Sequence, residues 1–156
     1  MKILVFHQPY PMGNYKLNQV IAKYFSNKGH EVYVLEQLNG RSADEDYIQQ
    51  IIDLDLDLCY YEMLDIETFK IIERLKCQKI LLQASNGVLE EYDKIIEYKG
   101  KWYDKILTNS LVMESKFKNN NIPTQHFKFY HSAILEEEKQ FKPGYNYDCV
   151  FLGMGF

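Results

Sequence analysis

Cysteine, proline and tryptophan are scarce in this 156-residue chain, and basic residues do not outnumber acidic ones. The three cysteines, Cys59, Cys77 and Cys149, are odd in number, widely spaced and never in a CxxC pair. That pattern speaks against a disulfide framework, and buried, reduced thiols are the expectation. The four histidines, His7, His30, His126 and His131, show no ligand spacing, so no metal is expected. No apolar run approaches the roughly 18 residues of a membrane span, and the opening MKILVFHQPYP is too short for a signal-peptide core. A cytoplasmic protein with no membrane span is the expectation. With 18 Lys and Arg against 22 Asp and Glu, the net charge is −4. The bases form no single patch, so no nucleic-acid partner is expected.

Phosphate-binding signatures are missing too. The first loop, HQPYPMGNYK, holds one glycine, Gly13, where a dinucleotide fingerprint needs three. No GK[ST] occurs, which rules out a P-loop, and two prolines stand where a flavin-binding first loop would carry hydroxyls and glycines. SADEDY lacks the glycine and later glutamate of a calcium loop. Asp53, Asp55 and Asp57 in DLDLDL read as a solvated helix end and turn.

What the chain does have is a β-α rhythm. KILVFH (2–7) is a continuous apolar run, as suits a strand buried on both faces of a parallel sheet. A Pro/Gly loop follows, then a helix with Leu17, Val20, Ile21, Tyr24 and Phe25 on one stripe, Asn14 as N-cap and a stop at Gly29. EVYVLEQL (31–38) is the second strand. Helices over 43–53, 65–76, 88–98 and 111–121 then alternate with strands over 56–62, 78–83, 103–110 and 126–130. Residues 131–146 break the rhythm with charges and Pro143-Gly144, and YDCVFLGMGF (147–156) resumes it. The fold class is therefore α/β: a doubly wound, mostly parallel, Rossmann-like sheet.

In such sheets ligands bind beyond the carboxyl ends of the strands, which bounds the search. His7 ends the first strand and could serve as a general base, since imidazole ordinarily titrates near neutrality; it could equally be a hydrogen-bonded structural histidine. Glu62, ending the third strand, is a second candidate acid or base. Gln8, Gly13, Asn14 and Tyr61 also fall at these ends, and Tyr60-Tyr61 could line a pocket. Ser85 and Asn86, and Asn109 and Ser110, offer donors and acceptors to a hydroxyl-rich ligand, or else cap helices.

The opening MKILVF…P…G with a helix ending in KGHEVYVL resembles the start of GT-B glycosyltransferases. YDKILTNSLVMESKFKNNNIPTQHFKFYHS is similar to the later part of their N-terminal domain. YNYDCVFLGMGF looks like the first strand of their C-terminal domain, in the manner of the CgeB-like and family 1-type branches. The resemblance implies an acceptor-side domain over 1–131, a linker over 132–146 and a truncated donor-side domain over 147–156. It implies an enzyme that transfers a sugar from a nucleotide-sugar to an acceptor hydroxyl, with no tightly bound cofactor and no metal in the chemistry. The donor-binding domain would be a missing partner, so this chain alone is expected to be inactive. His7 or Glu62 would deprotonate the acceptor if the enzyme inverts. A non-catalytic α/β binding or assembly module is the alternative reading.

Overall fold

A computed structural model describes residues 1–7, 15–38, 41–62, 66–83, 93, 95–98 and 100–126. The expected linker (132–146), the closing strand (147–156) and most of the expected helix over 88–98 lie outside these residues. Six strands are described: β1 (Lys2–His7), β2 (Glu31–Glu36), β3 (Leu58–Glu62), β4 (Gln78–Gln83), β5 (Lys105–Thr108) and β6 (Thr124–His126). The helices are α1 (Tyr15–Asn27), α2 (Glu45–Ile52), α3 (Ile66–Arg74) and α4 (Leu111–Asn119). The strands form one sheet in the order β2-β1-β3-β4-β5-β6, and every pair is parallel. The doubly wound α/β architecture read from the sequence is the one observed.

The order explains the layers. From β1 the chain steps outward to β2, then back past β1 to β3. Crossovers between parallel strands are right-handed, so this reversal puts α1 on one face and the later helices on the other. The core divides accordingly. Leu4, Phe6, Cys59, Tyr61, Leu81 and Ile106 pack with Ile48 and Ile51 of α2, Ile71 and Ile72 of α3, and Met113 and Phe117 of α4. Ile3, Val5, Leu58, Tyr60 and Leu82 pack with Ala22 of α1 on the opposite face. All five residues of β3 are buried, as are the four inner residues of β1, which is why both read as unbroken apolar runs.

Local chemistry sets the ends of the helices. Asp44 caps α2 by accepting from the Tyr47 amide at 2.7 Å, with Glu45 and Asp46 in the first turn. α1 stops in a Schellman turn. His30 N–H donates to Phe25 O at 3.2 Å and Gly29 N–H to Ser26 O at 2.9 Å, while Gly29 takes φ +82°. α4 repeats the device with Asn121 at φ 56°, Ile122 N–H donating to Phe117 O and Asn121 N–H to Lys118 O, each at 3.0 Å.

The sixth strand begins earlier than the sequence suggests. It covers Thr124–His126 rather than 126–130, whose last four residues lie outside the description. The cause is Pro123, whose carbonyl accepts the Ile106 N–H at 2.9 Å and so starts the ladder directly after the α4 turn. The aspartates of DLDLDL are structural where they are engaged: Asp57 accepts the Lys2 backbone N–H at 2.7 Å, and the Lys2 ammonium reaches Leu54 O at 2.9 Å. Cys59 is buried, and desolvation pushes its thiol well above the ordinary value, with Cys77 adding and Lys79 opposing. Cys77 is a free, half-buried thiol.

The single tryptophan anchors the amino end of β5. Trp102 stacks between Tyr98 (centroids 3.6 Å apart) and Phe69 (3.9 Å). Its indole N–H donates to Glu73, which also pairs with the Lys101 ammonium at 2.9 Å. Burial raises the Glu73 carboxyl, but the Trp102 and Lys101 contacts outweigh it and hold the group below its ordinary 4.5.

Two outcomes follow from these contacts. Gly29→Ala forces a left-handed conformation on a residue with a side chain, although no atom crowds the new methyl. It is expected to cost about 1 kcal/mol, a fall in Tm of roughly 2–4 °C by calorimetry. Glu73 has a lowered carboxyl in the folded state, so its contribution is present at neutral pH and is lost as the pH falls through the folded value. Glu73→Gln should therefore lower Tm near neutrality and flatten the acid limb of the Tm–pH curve below 4.5; an unchanged limb would mean that solvent screens the contact.

Candidate functional site

The reversal of strand order lies between β1 and β3, and in open parallel sheets that is where a crevice opens at the carboxyl ends. Register places the groups there. Val5 pairs with Tyr60, the last pair of the β1–β3 ladder, and His7 and Glu62 each follow two residues later on these neighbouring strands. Alternation puts both on the α1 face, in line with Ile3 and Val5, and with Leu58 and Tyr60. Strands in a sheet are about 4.8 Å apart, so the two backbones are neighbours. His7 also pairs with Glu36 across β2, and its carbonyl accepts the Gln37 N–H at 3.0 Å. On this face Glu36 and His7 pair across β2 and β1, and Glu62 and Leu82 pair across β3 and β4.

Glu62 is 3% exposed, a carboxyl group drawn into the sheet's end rather than left in solvent. Its proximity is registered by Tyr60, whose phenol is raised far above the ordinary value, first by burial and then by the charge of Glu62. Tyr60 is thus a neutral phenol at any physiological pH.

Tyr61 goes elsewhere. One residue along β3 it turns to the opposite face, is 0% exposed and donates its hydroxyl to the Trp102 carbonyl. It belongs to the core with α3, where Phe69 meets its ring edge-on at 6.1 Å, and it does not line the crevice as the sequence reading had it. Tyr60 is likewise buried, in the α1-side core.

Asn109 and Ser110 follow β5, three strands from β1 and so about 14 Å from His7. Ser110 caps α4, its Oγ accepting from the Met113 amide at 3.4 Å, and its own N–H donates to Thr108 Oγ1 at 3.2 Å. The Asn109 carbonyl meets His126 Nε2 at 3.2 Å. Capping therefore accounts for Ser110. Gln8, Gly13, Asn14, Ser85 and Asn86 lie outside the described residues.

Two buried amides are found here, Gln37, which the count of strand ends already places after the second strand, and Asn18, which that count misses. Asn18, in the first turn and a half of α1, is 0% exposed, and neither its Oδ1 nor its Nδ2 has a hydrogen-bond partner. Gln37, directly after β2, is buried with its Nε2 unpartnered. Asn18 was concealed by the helical stripe. Of the stripe expected from the sequence, Ile21 and Phe25 do pack on the sheet and Tyr24 is exposed, while Asn18 and Ala22 are buried beside them. The 18, 22, 25 spacing was the available signal.

Among the described residues, two cavities open elsewhere. One of about 410 Å³ lies at the amino ends of the strands among Met1, Lys2, Gly29, Glu31, Asp55 and Asp57. Another of about 310 Å³ lies between α2 and α3, where Arg74 pairs with Glu45 and Lys70 with Glu67. Neither touches the carboxyl-end groups. Among the described residues no group of three or more His, Cys, Asp or Glu could hold a metal ion. None of their helices is long and apolar enough to cross a membrane. Comparison with known proteins found no matching family model and no matching curated protein.

The separation of Tyr61 from the crevice is testable. Tyr61→Phe leaves the Trp102 carbonyl without its buried donor and should cost about 1–2 kcal/mol in urea denaturation. It should leave ligand affinity at the carboxyl ends unchanged.

Proposed function

We propose that this chain is the acceptor-binding half of a GT-B-type glycosyltransferase, working at the carboxyl ends of β1 and β3. One observation supports this above the others: His7 and Glu62 end neighbouring strands at the strand reversal, on one face, at the position where doubly wound sheets bind ligands. A base next to a carboxyl group is the equipment that activates a hydroxyl. In the reaction envisaged, the acceptor oxygen attacks the anomeric carbon of a nucleotide-sugar, and its proton passes to His7 or to Glu62. The bond from the sugar to the nucleotide phosphate breaks, and its electrons leave with the nucleotide. The nucleotide-sugar would be held by a second, donor-side domain as partner. The chain's own residues position the acceptor and take its proton.

The rival reading, a non-catalytic binding or assembly module, has one observation in its favour. Leu111 and Val112 open α4 with 66% and 76% of their surface exposed, two large apolar side chains together. If they serve assembly, Leu111→Ser with Val112→Ser abolishes concentration-dependent association in sedimentation velocity.

The glycosyltransferase reading is tested by ¹H–¹⁵N NMR titration of the chain with methyl β-glucoside, methyl β-galactoside and methyl N-acetylglucosaminide. The expected result is shifts at His7, Gln37 and Glu62, weakened by Glu62→Gln by about tenfold, the effect of one hydrogen bond to a charged group. Glycosides that shift no resonance at these three residues would overturn it.

A further inference from the structure

We infer that the Asn18 amide is a ligand-reading group of the carboxyl-end site, one that binds an uncharged hydroxyl. This rests on the acceptor-binding reading and supplies it with a specificity-determining residue. The placement comes first. α1 begins after the carboxyl end of β1 and runs back to β2, packing on both strands, so its early residues lie over the carboxyl ends. Ala22 packs with Ile3, Val5, Leu58 and Tyr60. Asn18 is one helical turn closer to the carboxyl end on the same stripe, about 6 Å of helix rise. That distance equals about two strand residues, so Asn18 lies nearer the carboxyl end of β1 than Ala22 does.

The energetics come second. The stripe asks for an apolar side chain at position 18, as it has at 22 and 25. The residue there is instead an asparagine with no exposed surface and no partner for either polar atom. A buried amide left unpaired costs about 1–3 kcal/mol, and native proteins pair nearly all such groups. Folding alone gives no reason to keep the amide, whereas a ligand that satisfies it does.

The chemistry selects the ligand. The amide offers two donors and one acceptor. A hydroxyl, at once donor and acceptor, answers both ends. A phosphate or carboxylate would use the donors alone and would be carried toward Glu36, which pairs with His7, and Glu62, which ends the neighbouring strand. A cation would use the acceptor alone and leave the N–H groups unpaired. The buried, unpartnered Nε2 of Gln37, beside His7 through its backbone, adds a further neutral donor at this end of the sheet.

The test reads the Asn18 side-chain NH₂ resonance directly. The whole chain is titrated with the three methyl glycosides above and with myo-inositol and glycerol, alongside Asn18→Leu and Asn18→Asp. The expected result is a glycoside-induced shift of the Asn18 NH₂ pair. Asn18→Leu should melt at or above the wild-type temperature yet bind at least about tenfold more weakly; Asn18→Asp, near-isosteric but without the donors, should bind as weakly. A clear fall in the melting temperature of Asn18→Leu would assign the amide to folding and overturn the inference. So would glycosides that shift His7 and Glu62 while the Asn18 pair stays still and Asn18→Leu binds normally; that outcome leaves the acceptor reading standing. A shift of Asn18 by inositol or glycerol with no glycoside response would instead overturn the sugar-acceptor reading and keep Asn18 as a hydroxyl reader. No Asn18 response to any of the five compounds would sink the inference.

Discussion

The reversal of strand order between β1 and β3 is the constraint on which the rest of the structure depends. Because crossovers are right-handed, stepping out to β2 and back to β3 forces α1 onto one face and α2, α3 and α4 onto the other. The two inner strands are then buried on both sides, which demands the apolar runs of β1 and β3. Polar groups at the carboxyl ends of β1 and β3 lie at that reversal. Fold and candidate site thus share one geometric cause.

That cause was legible in the sequence to different depths. Strand β4 and the body of β1 stand out from their apolar runs, and the Lys28-Gly29 stop of α1 is the Schellman turn that the glycine announces. Parallel pairing followed from the β-α alternation. Register between strands distant in sequence did not, and register decides which residues share a face. For that reason Tyr61 looked as good a crevice residue as its neighbour Glu62, although a one-residue step along a strand sends a side chain to the other side of the sheet. The start of β6 was misjudged for a local reason: a proline donates nothing to a ladder but can still accept, and Pro123 does so.

The site was less legible than the fold. His7 and Glu62 could be named because strand ends can be counted, but that they end neighbouring strands required the β1–β3 pairing. Asn18 could not be named, because an amphipathic helix has two nearly equivalent readings one residue apart. The stripe through Leu17 and Tyr24 is the more apolar of the two, and hydrophobicity alone prefers it. Packing keeps Ile21 and Phe25 of that stripe on the sheet, turns Tyr24 out, and buries Asn18 with Ala22.

That choice bears on how the molecule balances stability against use. At the amino ends of the strands the engaged polar groups are closed off: Lys2 with Asp57 and Leu54, Asp104 with the Lys79 amide, Trp102 with Glu73. At the carboxyl ends Ser110 and Thr68 are similarly spent, on α4 and on the Leu38 amide. Among the described residues, Asn18 and Gln37 are buried amides with unpartnered atoms. A fold optimised for stability alone would replace both with apolar side chains, since an unsatisfied buried amide is worse than none. Among the described residues, unpartnered buried amides at the carboxyl ends are the asymmetry expected when part of the folding free energy is given up to hold a binding surface ready.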